Sequence, residues 1–458
     1  MRWWQWFEIG VKRSSLILSQ VVTLILLWVG VNFPAAATDL LEIYREAQGR
    51  DPTFEAARYA FVAVQEKLPQ ARAGLLPVLN LNGNENNNNA LTKFSNAPKV
   101  YREVNTWALT LQLTQPLFRA QNFYAYSEAE SLVEQARAQL NLAEQELILR
   151  ATRAYFDILI VQESIEAADR QVKAAEEQLA SAKRGFEAGV NAVTDVHEAK
   201  SRLDLASSQG IAALNELEAK HAELEKVTGR ETSELAGLKP AAIVPRPQPE
   251  NVRAWIEQAR ENNPAVIASK AALGAAEAAV NKKRAEHAPT LDLVASHGRN
   301  YLSGSVNIPS DFTTDTHSSQ LGVQFTVPLF AGGGTHSRVT EAIANVGKAS
   351  ADLEVARRQA GADARQAYSA IVTGLAQIEA LESAVESSSS AVKGNQVGYK
   401  LGLHMNIDVL NAEQQLYTAQ RDLVKARYDA LFQGLKLKAT AGGLTEEDIY
   451  GVNQLLLQ

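Results

Sequence analysis

The chain contains no cysteine among its 458 residues. This absence excludes disulfides, thiolate catalysis, cysteine-ligated zinc, iron–sulfur clusters and a lipidated N-terminal cysteine. Aromatic residues make up only 7% of the sequence, which argues against a large aromatic-rich core. The formal net charge of −7 argues against a nucleic-acid partner, because phosphate neutralisation needs clustered lysine and arginine side chains. The hydrophobic fraction of 46% nevertheless indicates a chain that packs into ordered structure.

Motifs for chemistry are also lacking. The seven histidines form no pair of the H-E-x-x-H type, so no metal site is predicted. No arrangement of nucleophile and base is visible, and we predict neither a cofactor nor an enzymatic activity. The run Ala331-Gly332-Gly333-Gly334 has no lysine after it, so we interpret it as a hinge between a strand and a helix rather than a phosphate-binding loop.

Residues 1–37 have the pattern of a secretory signal peptide. Arg2, Lys12 and Arg13 precede an apolar stretch at 16–31, and three alanines follow at 35–37. The alternative is an uncleaved membrane anchor, since the apolar stretch approaches the length that spans a bilayer. No later stretch is apolar enough for a transmembrane helix, so a membrane location of the mature chain would require a β-barrel.

The rest of the sequence is an internal repeat. Asp51-Pro52 recurs as Asn263-Pro264, and Pro116-Leu117-Phe118 recurs as Pro328-Leu329-Phe330, both at an offset of 212 positions. A proline-rich segment at 245–249 separates the two copies. Chance similarity between alanine-rich helices does not explain the matching proline, glycine and aspartate positions, so we predict two structural halves.

The predicted boundaries follow this repeat. The first half spans 38–238 and the second spans 251–450, with a linker at 239–250 and a C-terminal tail at 451–458. Each half is predicted to open with a shorter helix, at about 39–73 and 251–287. The strands of the first half are expected at about 75–92 and 103–116, its long helix at 121–188 and its last helix at 195–227. The strands of the second half are expected at about 289–304 and 318–330, its long helix at 336–398 and its last helix at 408–440.

The long helices have the spacing of coiled coils. Apolar residues recur three and four positions apart from Val133 to Phe186, and no proline or glycine interrupts Ser127 to Arg184. At 1.5 Å per residue such a helix is about 85–90 Å long, which is several times the width of an ordinary domain. Alanine dominates the apolar positions, so the helices are expected to approach closely and to leave an apolar face for self-association.

Strict alternation of apolar and polar residues predicts strands between the helices. Leu109, Leu111 and Leu113 alternate with polar or small residues in the first half, and Leu321, Val323 and Phe325 do so in the second. Each half therefore carries one hairpin, with long polar connecting loops expected at 82–96 and 303–319. A sheet with one face packed on helices would show the same alternation as a membrane barrel. Since four strands cannot close a barrel, the barrel interpretation requires two or three copies of the chain.

The complete pattern resembles the TolC-type outer-membrane efflux and secretion family. The residues that carry the resemblance are the strand end Gln115–Phe118, the pair Ala154-Tyr155, the Gly-x5-Asp-Val turn at 189–196, and their repetition in the second half. Because the chain has no cysteine, it is similar to the TolC branch rather than to the lipoprotein branch. Two alternatives remain open at this point: an exported, filament-like coiled-coil protein and a periplasmic adaptor.

The resemblance implies a mainly α-helical fold with a β-barrel contribution. Long coiled-coil hairpins and β-hairpins would assemble as a homotrimer, with a helical tunnel in the periplasm and a 12-stranded barrel in contact with outer-membrane lipid. The implied partners are a periplasmic adaptor protein and an inner-membrane ABC transporter or proton-driven pump. Small toxic compounds or polypeptides would pass through this channel without being transformed.

The resemblance also assigns roles to the two helical turns. Gly189, Val190, Gly402 and Leu403 correspond to adaptor contacts. The gate positions of the periplasmic entrance are Thr194, Asp195, Tyr399, His404, Asp408 and Asn411. This chain departs from the family at two of them: His404 stands where relatives have arginine, and Asn411 stands where they have a second aspartate.

These residues have plainer interpretations as well. Asp195 and Asp408 open helices, so both are candidates for N-capping. Three Asp408 carboxylates in a narrow neck would favour the passage of cations. His404 is a candidate pH-sensitive element, and channel conductance measured between about pH 5 and 8 would test it.

Overall fold

The computed structural model describes residues 38–93, 95–96, 98–190, 192–232, 234–239, 242–304 and 312–457. The predicted signal peptide at 1–37 lies outside these residues. The described part of the chain forms ten α-helices and four strands, in this order: α1 Leu40–Arg50, α2 Pro52–Gln65, α3 Lys67–Ala73, β1 Val78–Thr92, β2 Val100–Phe118, α4 Ala120–Glu187, α5 Val193–Thr228, α6 Val252–Asn262, α7 Pro264–Arg284, β3 Thr290–Ser303, β4 Thr313–Thr326, α8 Gly334–Lys400, α9 Asn406–Thr440 and α10 Glu446–Asn453.

Two helical hairpins make up most of the molecule. Helix α4 has 68 residues and is about 100 Å long, and α8 has 67 residues. Towards the hairpin end α4 buries only small side chains, Ala168, Ala175 and Ala182, whereas its middle buries Tyr155 and Phe156. Because small side chains allow close helix contacts, the two helices of the first hairpin can approach closely towards its end.

The opening helix of each half is interrupted, which corrects the prediction of single helices at 39–73 and 251–287. Asp51 ends α1, and its carboxylate accepts hydrogen bonds from the backbone N–H groups of Thr53 and Phe54 at the start of α2. Asn263 does the same between α6 and α7. The proline that follows each cap lacks an N–H group and fits only the first turn of a new helix.

The four strands form one antiparallel sheet in the order β1-β2-β3-β4. One face carries leucines from paired strands, with Leu79 opposite Leu113 and Leu81 opposite Leu111. The other face is polar, as in the row Asn80, Gln112, Ser296 and Gln320. No helix covers either face among the described residues, and Leu321 is 75% exposed. This exposure argues against the alternative of a sheet packed on helices.

The asparagine-rich stretch belongs to strand β1, which covers most of the strand expected at about 75–92, so the overlapping prediction of a loop at 82–96 is wrong as far as Thr92. Strand β1 continues to Thr92, and Asn86 lies opposite Thr106 in β2. Backbone pairing along the whole of β2 outweighs the low strand propensity of asparagine. The second predicted loop, 303–319, is likewise shorter, since β4 begins at Thr313. That strand ends at Thr326 rather than at the predicted 330.

A compact core joins the two halves beside the middle of the long helices. It includes Tyr44 from α1, Tyr155 and Phe156 from α4, Tyr428 from α9 and Ile449 from α10. The buried Tyr155 hydroxyl donates a hydrogen bond to the Ala236 carbonyl oxygen at 2.7 Å. The predicted tail from 451 begins inside α10, and Leu456 beyond this helix is also buried in the core.

Candidate functional site

The ends of the two helical hairpins lie side by side and enclose a cleft of about 980 Å³. Both hairpins contribute to its lining. The lining of this cleft includes five residues predicted from the sequence: Val190, Asp195, Tyr399, Gly402 and His404. Gly189, Thr194, Leu403, Asp408 and Asn411 do not line this cleft. The structure thus brings together about half of the predicted gate and turn residues in one protomer.

The two turns have the same backbone geometry. Gly189 and Gly402 both have φ of 74°, a left-handed conformation that strongly favours glycine. The residue after each glycine donates its N–H to a carbonyl oxygen in the last helical turn: Val190 to Gly185 at 2.9 Å and Leu403 to Gly398 at 2.8 Å. As in other helix ends with this arrangement, the chain reverses sharply and leaves an apolar side chain exposed at each tip.

The two aspartates cap their helices from inside the first turn. Because α5 begins at Val193 and α9 at Asn406, both start two residues before the predicted boundaries of 195 and 408. The Ala192 N–H donates to the Asp195 carboxylate at 3.3 Å, and the Met405 N–H donates to the Asp408 carboxylate at 3.0 Å. Alanine and methionine have no side-chain oxygen, so only half of a capping box is present.

His404 and Asp408 lie close without forming a hydrogen bond. The distance between His404 Nδ1 and an Asp408 carboxylate oxygen is 3.7 Å, which is too long for one. The histidine ring lies against Gly398, where an added Cβ would be 2.0 Å from the ring carbon Cδ2. Gly398 therefore provides the space that allows His404 to approach the aspartate.

Arg202 links the two hairpins and was not among the residues predicted from the sequence. Its guanidinium on α5 donates to the Gln414 side-chain oxygen at 2.8 Å and to the Asn411 side-chain oxygen at 3.0 Å, both on α9. Tyr399 on α8 provides a second link, since its hydroxyl lies 3.3 Å from the Ser181 hydroxyl on α4. Arg202 follows Asp195 by seven residues, which is one heptad, so the two residues lie on the same side of α5. This spacing was the signal in the sequence that could have identified Arg202.

Glu413 is a buried carboxylic acid further along the same helix bundle. One of its oxygens accepts a hydrogen bond from the Gln396 amide at 3.1 Å, and the other is buried without a partner. Burial raises the pKa of Glu413 above its ordinary value, and the nearby charge of Glu177 on α4 acts in the same direction. This burial is not visible in the sequence, because it depends on how three helices pack.

The described residues contain no group of three or more histidine, aspartate and glutamate side chains placed to hold a metal ion. No helix in the described ranges is both long and apolar enough to cross a membrane.

A sheet with one leucine-rich and one polar face, continuous with helical hairpins of nearly 70 residues per long helix, defines a channel-forming outer-membrane protein. The model of the outer membrane efflux protein family matches residues 43–230 and 255–443, one match in each half. The chain belongs to the outer membrane efflux protein family.

Individual relatives agree with this assignment. The outer membrane protein TolC of Vibrio cholerae is 31% identical over 418 residues, covering 91% of this chain and 93% of that protein. The alkaline protease secretion protein AprF of Pseudomonas aeruginosa is 33% identical over 423 residues, covering 91% and 86%. In fold, the chain is similar to the crystal structure of the outer membrane protein VceC from Vibrio cholerae, with a TM-score of 0.73, 20% identity and coverage of 88% and 96%.

These findings confirm the resemblance inferred from the sequence. The protein is an outer-membrane channel of the efflux and type I secretion class, and its helical part lies in the periplasm. The alternatives of a filament-like protein and a periplasmic adaptor are not supported.

Proposed function

We propose that three copies of the chain form one conduit and that the paired hairpin ends are its periplasmic entrance. The exposed leucine face of the sheet and its two unpaired edges support assembly around a common lumen. Three copies supply twelve strands, which lies within the range of known membrane barrels. The leucine face contacts outer-membrane lipid, and the row of asparagine, glutamine and serine side chains faces the lumen.

The turns at 189–190 and 402–403 are the proposed contacts for a periplasmic adaptor. Val190 and Leu403 are exposed apolar side chains at the ends of two rods, where a partner that covers them would bury apolar area. An inner-membrane ABC transporter or proton-driven pump would deliver cargo through that adaptor. The relatives named for protease secretion favour polypeptide cargo, and those of the efflux family favour small toxic compounds.

The entrance is held narrow by hydrogen bonds between the hairpins, and Arg202 carries this part of the proposal. Its two bonds join α5 to α9 close to the turns, so the hairpins cannot separate there unless both bonds break. Around this link lie the proposed gate residues Thr194, Asp195, Tyr399, His404, Asp408 and Asn411. The second turn has His404 where relatives have an arginine. In this chain the positive charge comes instead from Arg202 on the first hairpin.

Single-channel recording in planar lipid bilayers tests the proposed entrance. Arg202→Ala removes both bonds, and we expect a severalfold higher conductance than that of the unmodified channel. Lys200→Ala is the matched control, because it removes an exposed positive charge from the same helix and should leave the conductance close to that of the parent. Equal conductance of Arg202→Ala and the parent channel would exclude the Arg202 link as part of the gate. Monomeric, electrically silent protein would instead overturn the trimeric conduit.

A further inference from the structure

We propose that β4 of one subunit pairs with β1 of the next in the register that β2 and β3 adopt within the chain. This boundary between subunits is called the seam below. The inference rests on the proposed trimer, and it adds which residues meet at the seam and which interaction the seam lacks.

The repeat preserves strand register residue by residue. In the first hairpin Val78 lies opposite Thr114, and in the second hairpin Thr290 lies opposite Thr326. Each residue of the second pair follows its counterpart in the first by the same 212 positions. The correspondence extends along both hairpins, and the two sheet units are therefore equivalent in register as well as in sequence.

In the repeat, β4 is equivalent to β2 and β1 is equivalent to β3, so the register of the β2–β3 pair predicts the register at the seam. Within the chain, the second strand of the first half pairs with the first strand of the second half, with Gln112 opposite Ser296 and Leu113 opposite Ala295. The same relation between equivalent strands puts Gln324 opposite Asn84 of the neighbouring subunit. It also puts Phe325 opposite Gly83 of that subunit.

Barrel geometry supports this register. A row of paired residues runs through Leu79, Leu113, Ala295 and Leu321 within one chain. The transferred register continues that row at Asn87 of the neighbouring subunit, further along β1 than the starting leucine. Every seam then adds a stagger in the same direction, as the closing of tilted strands into a barrel requires.

Side chains at the two edges are complementary in this register. Phe325 is 64% exposed in the protomer, and Gly83 has only a Leu109 methyl group within 4 Å of the position of an added Cβ. An aromatic ring beside a strand glycine covers the backbone that glycine leaves open. Further along, Phe330 is 89% exposed whereas its repeat counterpart Phe118, which has a strand neighbour, is 46% exposed. The higher exposure of Phe330 is expected if the edge strand β4 pairs with another subunit.

One interaction is not repeated at the seam. Within the chain, the Nε and Nη2 atoms of Arg119 each donate a hydrogen bond of 2.8 Å to the buried Asp292 carboxylate, where β2 passes into α4. The equivalent residues at the seam are Ala331 and Asn80. The trimer therefore has three strand-to-helix junctions fixed by an ion pair. Its three seam junctions have no such ion pair. They contain a glycine run instead, in which Gly332 and Gly333 adopt positive φ.

Cysteine cross-linking tests the register, and the chain has no cysteine of its own to interfere. Four double variants combine Gln324→Cys with Asn82→Cys, Asn84→Cys, Asn86→Cys or Asn88→Cys. All five positions lie on the polar face, where an aqueous oxidant reaches them. After oxidation with copper phenanthroline, the Asn84 combination should give the strongest dimer and trimer bands on gels of boiled samples. The control Gln112→Cys with Ser296→Cys should give no band between subunits, since both of its residues belong to one chain.

Two other outcomes are informative in different ways. The strongest band with Asn82→Cys, Asn86→Cys or Asn88→Cys would overturn the register while leaving the trimer intact. Absence of intersubunit bands in all four variants, together with monomeric migration of unboiled protein, would overturn the proposed trimer and the seam with it.

Discussion

Glu413 shows how a single residue makes the stability of the helical bundle depend on pH. Its carboxyl is buried between α4, α8 and α9, with one oxygen unpaired, so its pKa in the folded protein is raised above 4.5. A raised pKa means that the folded state binds the proton more tightly than the unfolded state. The contribution of this group to stability is therefore fully present below about pH 4.5 and is lost as the pH rises through the raised pKa.

Replacing the carboxyl by an amide should remove this dependence. We expect Glu413→Gln to stabilise the protein at pH 7.5 by about 1 kcal/mol, because the amide oxygen still accepts from Gln396 and no charge is buried, which outweighs the cost of leaving the new NH2 group unpaired. Thermal unfolding followed by circular dichroism between pH 4.5 and 7.5 measures the effect, and the advantage should shrink at the acidic end.

Glu177→Gln is the matched control for this prediction. It removes only the neighbouring charge, so it should shift stability in the same direction and by less. If the melting temperatures of Glu413→Gln and the parent differ by a constant amount across the whole pH range, the buried carboxyl is not the titrating group.

At the scale of helices and strands, the sequence predicts an element well where neighbouring residues alone determine its bounds. The long helix predicted at 121–188 is observed at Ala120–Glu187, because no proline or glycine occurs between Ala120 and Arg184. Residues 82–92 fell within both a predicted strand and a predicted loop, and they form a strand because their conformation is set by pairing with β2. Arg202 was missed because both of its partners lie on the other helical hairpin. Glu413 was missed because its burial depends on α8 and on α4 of the other hairpin, and the sequence does not show how these helices are rotated against each other.

The junction between β2 and α4 depends on the Arg119–Asp292 ion pair. Asp292 is 6% exposed, so loss of its partner leaves a buried carboxylate without compensation. We expect Arg119→Gln to destabilise the protein by about 1–3 kcal/mol, less than for a fully buried pair because the arginine is partly exposed. Thermal unfolding in detergent measures this change, and adding Asp292→Asn to Arg119→Gln should restore part of the loss.

The sheet offers a control with the same chemistry in a different environment. Arg299 and Asp315 also form a two-bond ion pair, at 2.9 and 2.6 Å, but both side chains are exposed. Arg299→Gln should therefore destabilise the protein less than Arg119→Gln does, since neither member of this pair is buried within the protein. Equal destabilisation by Arg119→Gln and Arg299→Gln would show that burial of Asp292 is not what matters at the junction.

For the whole molecule, the uneven distribution of the Arg119–Asp292 ion pair indicates where the proposed trimer bends most easily. Each chain contains two repeats, so the proposed trimer has six similar junctions between barrel and helices. Three carry the buried ion pair, and three consist of Ala331, the following glycines and Asn80 of the neighbouring subunit. Glycine and the absence of a charged contact both lower the resistance to bending. Relative movement of subunits is therefore expected at the seams, while each protomer moves as one unit with its own junction fixed.

Transplanting the ion pair to the seam gives the assembled trimer a testable response. The double variant Ala331→Arg with Asn80→Asp places a guanidinium and a carboxylate at the positions equivalent to Arg119 and Asp292. Each seam should gain about 0.5–1 kcal/mol, and three identical seams add their effects. Unboiled trimer should then persist to a higher temperature on gels than the parent, whereas either single variant introduces an unpaired charge and should not. A double variant no more heat-resistant than Asn80→Asp alone would show that these residues do not meet between subunits.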